Sequence, residues 1–364
     1  MIPYSPPGLC QRQIIRITTD AAESMSTQGY IIMFLNYINN FRGIAILIIV
    51  SKHCIDAFDW PDSHYLYRAL YFVFHNGTSL FMFISGFLFQ YLAHKYEFKT
   101  YMEKKLKYVL LPYFIVSVPA VIMCTLFFQR PNLSPDFYAN PLIVQVIMFY
   151  LTGAHVTAFW FIPMMSLYYI ISPLLVRLDQ DRRIYYCIPL FILISLLVPR
   201  GGTVLKNFIH FFSIYIFGMF CSRYRDKILR IGEKHFLTLL IAYFLFFIGD
   251  ITLGIYGNQI ECVNYLSKLV LCVLLMTSLY LHDDRIKNRG AYLASISFGI
   301  YFLHSYVIQL ARFSLSDQIG GMIPFQGNLL SYMLLLVVVV GVCAIAITAI
   351  KKITQRRSRY VIGC

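Results

Sequence analysis

Apolar stretches close to twenty residues long recur along almost the whole chain, and such a stretch has one stable home, a helix that crosses a lipid bilayer. Hydrocarbon offers no partner for a peptide N–H or C=O, so each crossing segment must satisfy its own backbone and therefore coil. Runs near 41–59, 71–93, 108–128, 159–176, 184–198, 208–221, 236–255, 263–281, 291–313 and 328–350 predict an all-α, polytopic bundle of about ten transmembrane helices. The runs at 184–198 and 208–221 are short for a span and call for tilt or local bilayer thinning. The segment 141–153, PLIVQVIMFYLTG, is shorter still and suits a re-entrant or interfacial element. With 59% of 364 residues hydrophobic and 13% charged, no length remains for a separate soluble domain.

The formal charge of +14 would point to nucleic acid in a soluble protein, but here its distribution gives a different reading. When successive connections are assigned to alternate sides, Arg12, Arg16 and the basic clusters within 95–107, 177–183, 223–234, 285–289 and 351–359 fall together. The other side keeps only Arg68, Arg130, Arg200 and Lys206, while Arg42, Lys52, Lys268 and Arg312 lie in or at the ends of spans. The positive-inside rule makes the basic side cytoplasmic, with both termini there. Membrane lipids rather than nucleic acid are the expected surroundings.

Three segments follow: an N-terminal tail over 1–35, a transmembrane domain over 36–352 and a basic cytoplasmic tail over 353–364. The tail at 1–35 lacks the basic-then-apolar order of a cleavable signal, and Met25 or Met33 would also serve as a start. Nine cysteines are scattered without a Cys-x-x-Cys or a His/Cys cluster, which argues against a zinc site or a disulfide framework. No period of 20–50 residues repeats, and no inverted pair of Gly/Pro-interrupted helices marks a carrier.

Chemistry concentrates in the first span, FRGIAILIIVSKH. Eleven residues at about 100° each return His53 to within roughly 20° of Arg42, with a rise of about 16 Å between them. An ionisable side chain at the bilayer centre costs at least ~2.5 kcal/mol, so two in register indicate a polar path. Arg42, with five donors, is suited to gripping a phosphate or diphosphate, and His53 to taking a proton from an attacking hydroxyl. Their separation is comparable to an extended pantetheine arm. The plainer alternative makes Arg42 a snorkelling anchor and His53 a packing residue. Asp56, three residues on, is placed either to orient the imidazole or to sit at a solvated helix end. Ser85 and Gly86 interrupt a phenylalanine-rich helix, giving close approach to a ligand or to another helix. Trp160 reads as an interfacial belt residue or as a wall of an acceptor path. His304, beside Tyr301, reads as a core histidine or a second base.

These residues, taken with FMFISGFLF at 81–89, EKKLKYVLLPYF at 103–114, HVTAFWFIPMMSLYYIISPLL at 155–175 and SISFGIYFLHSYVI at 295–308, resemble the acyltransferase family 3 membrane proteins, which carry an arginine, ten residues and a histidine in the first helix. The likeness runs over about 36–352. It implies that His53 is the catalytic histidine and Arg42 its partner on the acyl-CoA side. It also implies that Lys104, Lys105 and Lys107 help to receive the CoA phosphates, although relatives often place arginine there. Ser85, Gly86, Trp160, Tyr301 and His304 are the expected substrate-side residues. The implied reaction moves an acyl group, acetyl foremost, from cytoplasmic acyl-CoA to a hydroxyl of a surface polysaccharide or lipid-linked glycan at a bacterial plasma membrane. It needs no permanently bound cofactor and no metal.

Two rivals remain at this level. A polyprenyl-phosphate-dependent glycosyltransferase would use Asp56, Asp59 and Asp62 around the first external loop, but such enzymes usually carry large external loops that this chain lacks. A lipid-linked glycan flippase or exporter would use the cationic path to hold a diphosphate and would consume no acyl donor.

Overall fold

The computed structural model describes residues 36–60, 65–75, 77–253, 261–286, 289–316 and 323–364. The tail expected over 1–35 and Asp62 lie outside the described residues. The rest is a helical membrane bundle. Its long helices are α1 (Asn36–Ile55), α2 (Tyr65–Phe74), α3 (Gly77–Tyr91), α4 (Phe98–Phe127), α5 (Leu142–Thr152), α6 (Phe161–Ile170), α7 (Ser172–Asp181), α8 (Ile188–Leu197), α9 (Val204–Arg223), α10 (Arg225–Lys234), α11 (Phe236–Leu253), α12 (Glu261–Leu281), α13 (Ala291–Ser316) and α14 (Leu329–Thr354), followed by the short α15 (Ser358–Val361).

Each of the ten apolar runs falls on a helix, but the count of full spans is lower. Among the described residues seven helices are long and apolar enough to cross, or nine if α6–α7 and α10–α11 each count as one bent span. The bends are 58° and 77°, and the first carries Pro173 at the start of α7, where a ring without an N–H is tolerated. The run expected at 184–198 lies in the shorter apolar helix Arg183–Leu197. At about 1.5 Å per residue, the eleven residues of α5 cover only about half a bilayer. Helix α5 ends at Gly153, whose left-handed φ of +72° few other residues adopt. One feature departs from a purely helical reading: β1 (Phe58–Asp59) pairs in parallel with β2 (Ile323–Gln326), tying the end of α1 to the segment before α14.

Helices α3 and α9 approach most closely. Gly86 on α3 faces the backbone of Tyr215, Gly218 on α9 faces the backbone of Phe83, and a Cβ on either would overlap a carbonyl oxygen. Two small residues facing opposite ways let two helix backbones touch, where dispersion and not hydrophobicity drives association. Gly86 is therefore filled against α9 and has no room for a ligand, which corrects its expected substrate-side role. Ser85 is not part of the cavity lining described below. Gly86→Ala is expected to cost about 1–3 kcal/mol or more, seen as a lower melting temperature or lost accumulation in membranes, because backbone cannot move aside as a side-chain tip can.

The span that holds α2 and α3 is interrupted near His75. At the end of α2 the Tyr71 carbonyl accepts from the His75 N–H at 2.7 Å, and the carbonyls of Phe72 and Val73 accept from the Lys268 ammonium of α12.

Candidate active site

Helices α1 and α13 pack side by side, and this contact carries the arginine–histidine stripe. Arg42 donates from its guanidinium to Ser297 Oγ at 3.4 Å, and the His53 ring lies 5.2 Å from that of His304, centroid to centroid. Ser297 and His304 are seven residues apart, two helical turns, so they stand on one face of α13. The expected stripe on α1 is thus matched by a polar stripe on its neighbour.

His53 stands in the wall of a cavity of about 170 Å³. Helix α1 contributes Ile49, Lys52, His53 and Asp56, and the interrupted span contributes Phe74, Gly77, Thr78 and Phe81. The approach to α6 and its first residue add Thr157, Ala158, Trp160 and Phe161, while Arg200 closes one side and Phe298 and Tyr301 of α13 another. Trp160 and Tyr301, both expected on the substrate side, are therefore cavity walls. Trp160 stacks on Phe211 with an interplanar angle of 20° and carries the Arg200 guanidinium 5.6 Å from its ring centre. The Tyr301 hydroxyl donates to the Ala158 carbonyl at 2.7 Å, which fixes the segment before Trp160.

His304 is fully buried against His53. Its Nδ1 pairs with the Ile300 carbonyl at 2.9 Å, an arrangement that requires Nδ1 to donate and leaves Nε2 as an acceptor for Ser305 Oγ at 3.3 Å. Asp56 does not orient His53: its carboxylate pairs with Lys52 at 2.5 Å, one turn back on α1. The Lys52 ammonium also sits 4.7 Å from the ring centre of Tyr71. Arg312 donates to the Asp56 carbonyl, and the Trp60 indole N–H donates to the Ile55 carbonyl at 2.9 Å, so the end of α1 is capped from two sides.

A second cavity of about 350 Å³ adjoins the first and shares Arg200 with it. Its lining is polar: Tyr71 and His75 at the end of α2, Gly201 beside Arg200, Asp250 of α11, and Glu261 and Asn264 of α12. The Tyr71 and His75 rings stack at 4.5 Å, and Glu261 accepts from the Arg200 main-chain N–H at 3.1 Å. Arg200 lies in the loop between spans, where burial lowers its guanidinium from the ordinary value and the nearby Tyr71, Glu261 and Asp56 oppose that shift.

At the other end of α1, the three lysines expected beside Arg42 divide. Lys105 is partly buried, its ammonium 5.1 Å and 5.0 Å from the ring centres of Tyr101 and Tyr169, and it is close enough to Arg42 for their charges to interact. Lys104 and Lys107 are exposed, and Lys107 lies 3.8 Å from Glu103. The segment after α14 does not hang free as a tail. Helix α15 packs on α4, Ile362 is buried, and Gly363 and Cys364 abut Phe298 and Gly299 of α13. This places Arg359 over the Tyr108 ring at 4.4 Å and within electrostatic reach of Arg42.

Lys52, Arg200, Arg359, His75 and the carboxylates of the second cavity carry no role in the reading of the sequence. A signal exists for two of them. Arg200 is one of four basic residues on the charge-poor side, and Lys52 is one of four in or at the ends of spans.

A family model described as an acyltransferase domain, that of acyltransferase family 3, matches residues 35–348. No curated protein and no solved structure matches the chain. The family match covers the bundle from the start of α1 into α14 and takes in both cavities, so the chain belongs to the acyltransferase family 3 membrane proteins.

Proposed function

We propose that this membrane acyltransferase moves an acyl group, acetyl foremost, from cytoplasmic acyl-CoA to a hydroxyl of a surface polysaccharide or lipid-linked glycan. The observation that carries the reading is the position of His53: it lines a cavity at one end of α1, while Arg42 stands on the same stripe at the other. The basic end is the cytoplasmic end, by the segregation of lysine and arginine, and both termini lie there in a bacterial plasma membrane. Arg42 and Lys105 receive the phosphates of CoA, with Lys104 and Lys107 widening the basic mouth. The pantetheine arm follows the seam between α1 and α13 toward His53.

The acceptor enters from the opposite end through the polar second cavity. Carboxylates, an amide and an imidazole are suited to ordering a polyhydroxyl ligand, and Trp160 and Tyr301 offer apolar walls near the reacting atoms. His53 takes the proton of the acceptor hydroxyl as its oxygen attacks the thioester carbonyl carbon. The C–S bond breaks, and the departing thiolate takes the proton back from the imidazolium as CoA-SH. The cations Lys52 and Arg200 in the same cavity favour the oxyanion that develops as the hydroxyl attacks. A route through a transient acyl-histidine uses the same residues in two steps.

Proton NMR of surface polysaccharide purified from wild-type and deletion cells tests the assignment. The expected result is an O-acyl resonance that disappears on deletion and returns with the wild-type gene but not with His53→Ala. Identical spectra from wild-type and deletion cells would overturn the reading.

A further inference from the structure

Arg359 stands beyond the stretch that matches the family, exposed on α15, and the proposed chemistry gives it no task. Its guanidinium lies 4.4 Å from the ring centre of Tyr108 on α4, and that ring is 5.4 Å from the ring of Tyr360. Among the described residues, neither Arg359 nor Arg42 nor Lys105 pairs with a carboxylate.

The backbone that carries Arg359 is held in place from two sides. Ser358 and Ile362 are buried, α15 packs on α4, and Gly363 and Cys364 abut Phe298 and Gly299 of α13. The same stretch of α13 carries Ser297, which accepts from Arg42 at 3.4 Å. Helix α4 carries Lys105 three residues before Tyr108, its ammonium flanked by the rings of Tyr101 and Tyr169. Both α13 and α4 therefore bring Arg359 to the mouth where Arg42 and Lys105 meet, close enough for the charges of Arg42 and Arg359 to interact. Three cations gathered without a counter-charge repel one another, and a bound polyanion offsets that repulsion.

Coenzyme A carries two kinds of phosphate. One is the diphosphate that joins pantetheine to the ribose; the other is a monoester on the ribose 3′ oxygen, with nearly two negative charges at neutral pH. Arg42 stands on the seam that leads to His53, so it meets the group nearest the pantetheine arm. Arg359, at the solvent edge, meets the group farther out. Its contact with the Tyr108 ring steadies the guanidinium and leaves N–H donors for a phosphate.

We propose that Arg359, steadied by Tyr108, binds the 3′-phosphate of the donor beside the diphosphate site of Arg42 and Lys105. This rests on the acyl-CoA reading and narrows it: a pantetheine diphosphate without the ribose monoester is bound more weakly.

The test measures Kd for CoA and for 3′-dephospho-CoA by titration calorimetry on the full chain in phosphatidylcholine nanodiscs, with a melting curve for each preparation. The wild type is expected to prefer CoA by about ten- to a hundred-fold, the range of one or two charge-assisted hydrogen bonds. Arg359→Met is expected to lose most of that preference, because CoA weakens while 3′-dephospho-CoA keeps its Kd, and Tyr108→Leu is expected to fall between. Equal Kd values in the wild type, which need no variant, would overturn the proposal, as would an unchanged preference in folded Arg359→Met. Phosphatidylglycerol added to the nanodiscs tests the other source of phosphate. The preference is expected to persist; its loss would assign Arg359 to a lipid headgroup and overturn the proposal. CoA bound without preference removes only the role of Arg359, whereas a wild-type protein that binds neither ligand removes the acyl-CoA reading with it.

Discussion

Replacing His53 with alanine is expected to lower kcat for acyl transfer by about 10²–10⁴-fold, the range that a positioned general base supplies. The protein should still fold, because the lost ring borders a cavity and its described ring neighbour, His304, keeps its own bonds to Ile300 and Ser305. KM for acyl-CoA should change little, since the proposed site for the donor's phosphates lies at the far end of α1. The check is steady-state kinetics in nanodiscs with a melting curve for each preparation. A folded His53→Ala protein with kcat within a few-fold of wild type would remove the histidine from the chemistry.

Arg42→Lys is expected to do the reverse. The planar guanidinium presents two parallel donors to a phosphate and still reaches Ser297, whereas an ammonium is a point charge on a flexible stem. Losing one or two charge-assisted hydrogen bonds should raise KM for acyl-CoA roughly ten- to a hundred-fold with a smaller effect on kcat. Lys105→Met should act in the same direction, since its charge shares the neighbourhood of Arg42. Lys104→Met and Lys107→Met should act weakly, because both side chains stand in solvent. Unchanged KM values for both Arg42→Lys and Lys105→Met would place the donor elsewhere.

The parts of this site that are legible in the sequence are those that one element fixes by itself. Arg42 and His53 share a helix, so their common face follows from 3.6 residues per turn, and the apolar runs locate the helices because the bilayer sets their length. Trp160 and Tyr301 are accessible as candidates because each sits in a segment resembling the family. What the sequence leaves open depends on contacts between elements far apart in the chain. The partner of Asp56 turns out to be Lys52 and not His53, and the end of α1 is capped by Trp60 and by Arg312 from α13. Gly86 offers a gap that either a ligand or a helix could fill, and only the position of Tyr215 on α9 decides. The bends at α6–α7 and α10–α11 lower the number of full spans because hydropathy records apolar length and not direction. Arg359 lies over a hundred residues from any other basic residue named at the donor mouth except through folding, so composition could assign it only to a tail.

The most direct measurement places donor and acceptor on opposite sides of one membrane. Purified protein is reconstituted in a single orientation in vesicles, radiolabelled acetyl-CoA is supplied on the side bearing Arg42 and Lys105, and a glycan acceptor is supplied on the side bearing the polar cavity. The expected result is labelled glycan on the acceptor side, dependent on His53. Label that never reaches the glycan, or that reaches it equally well with His53→Ala, would contradict it.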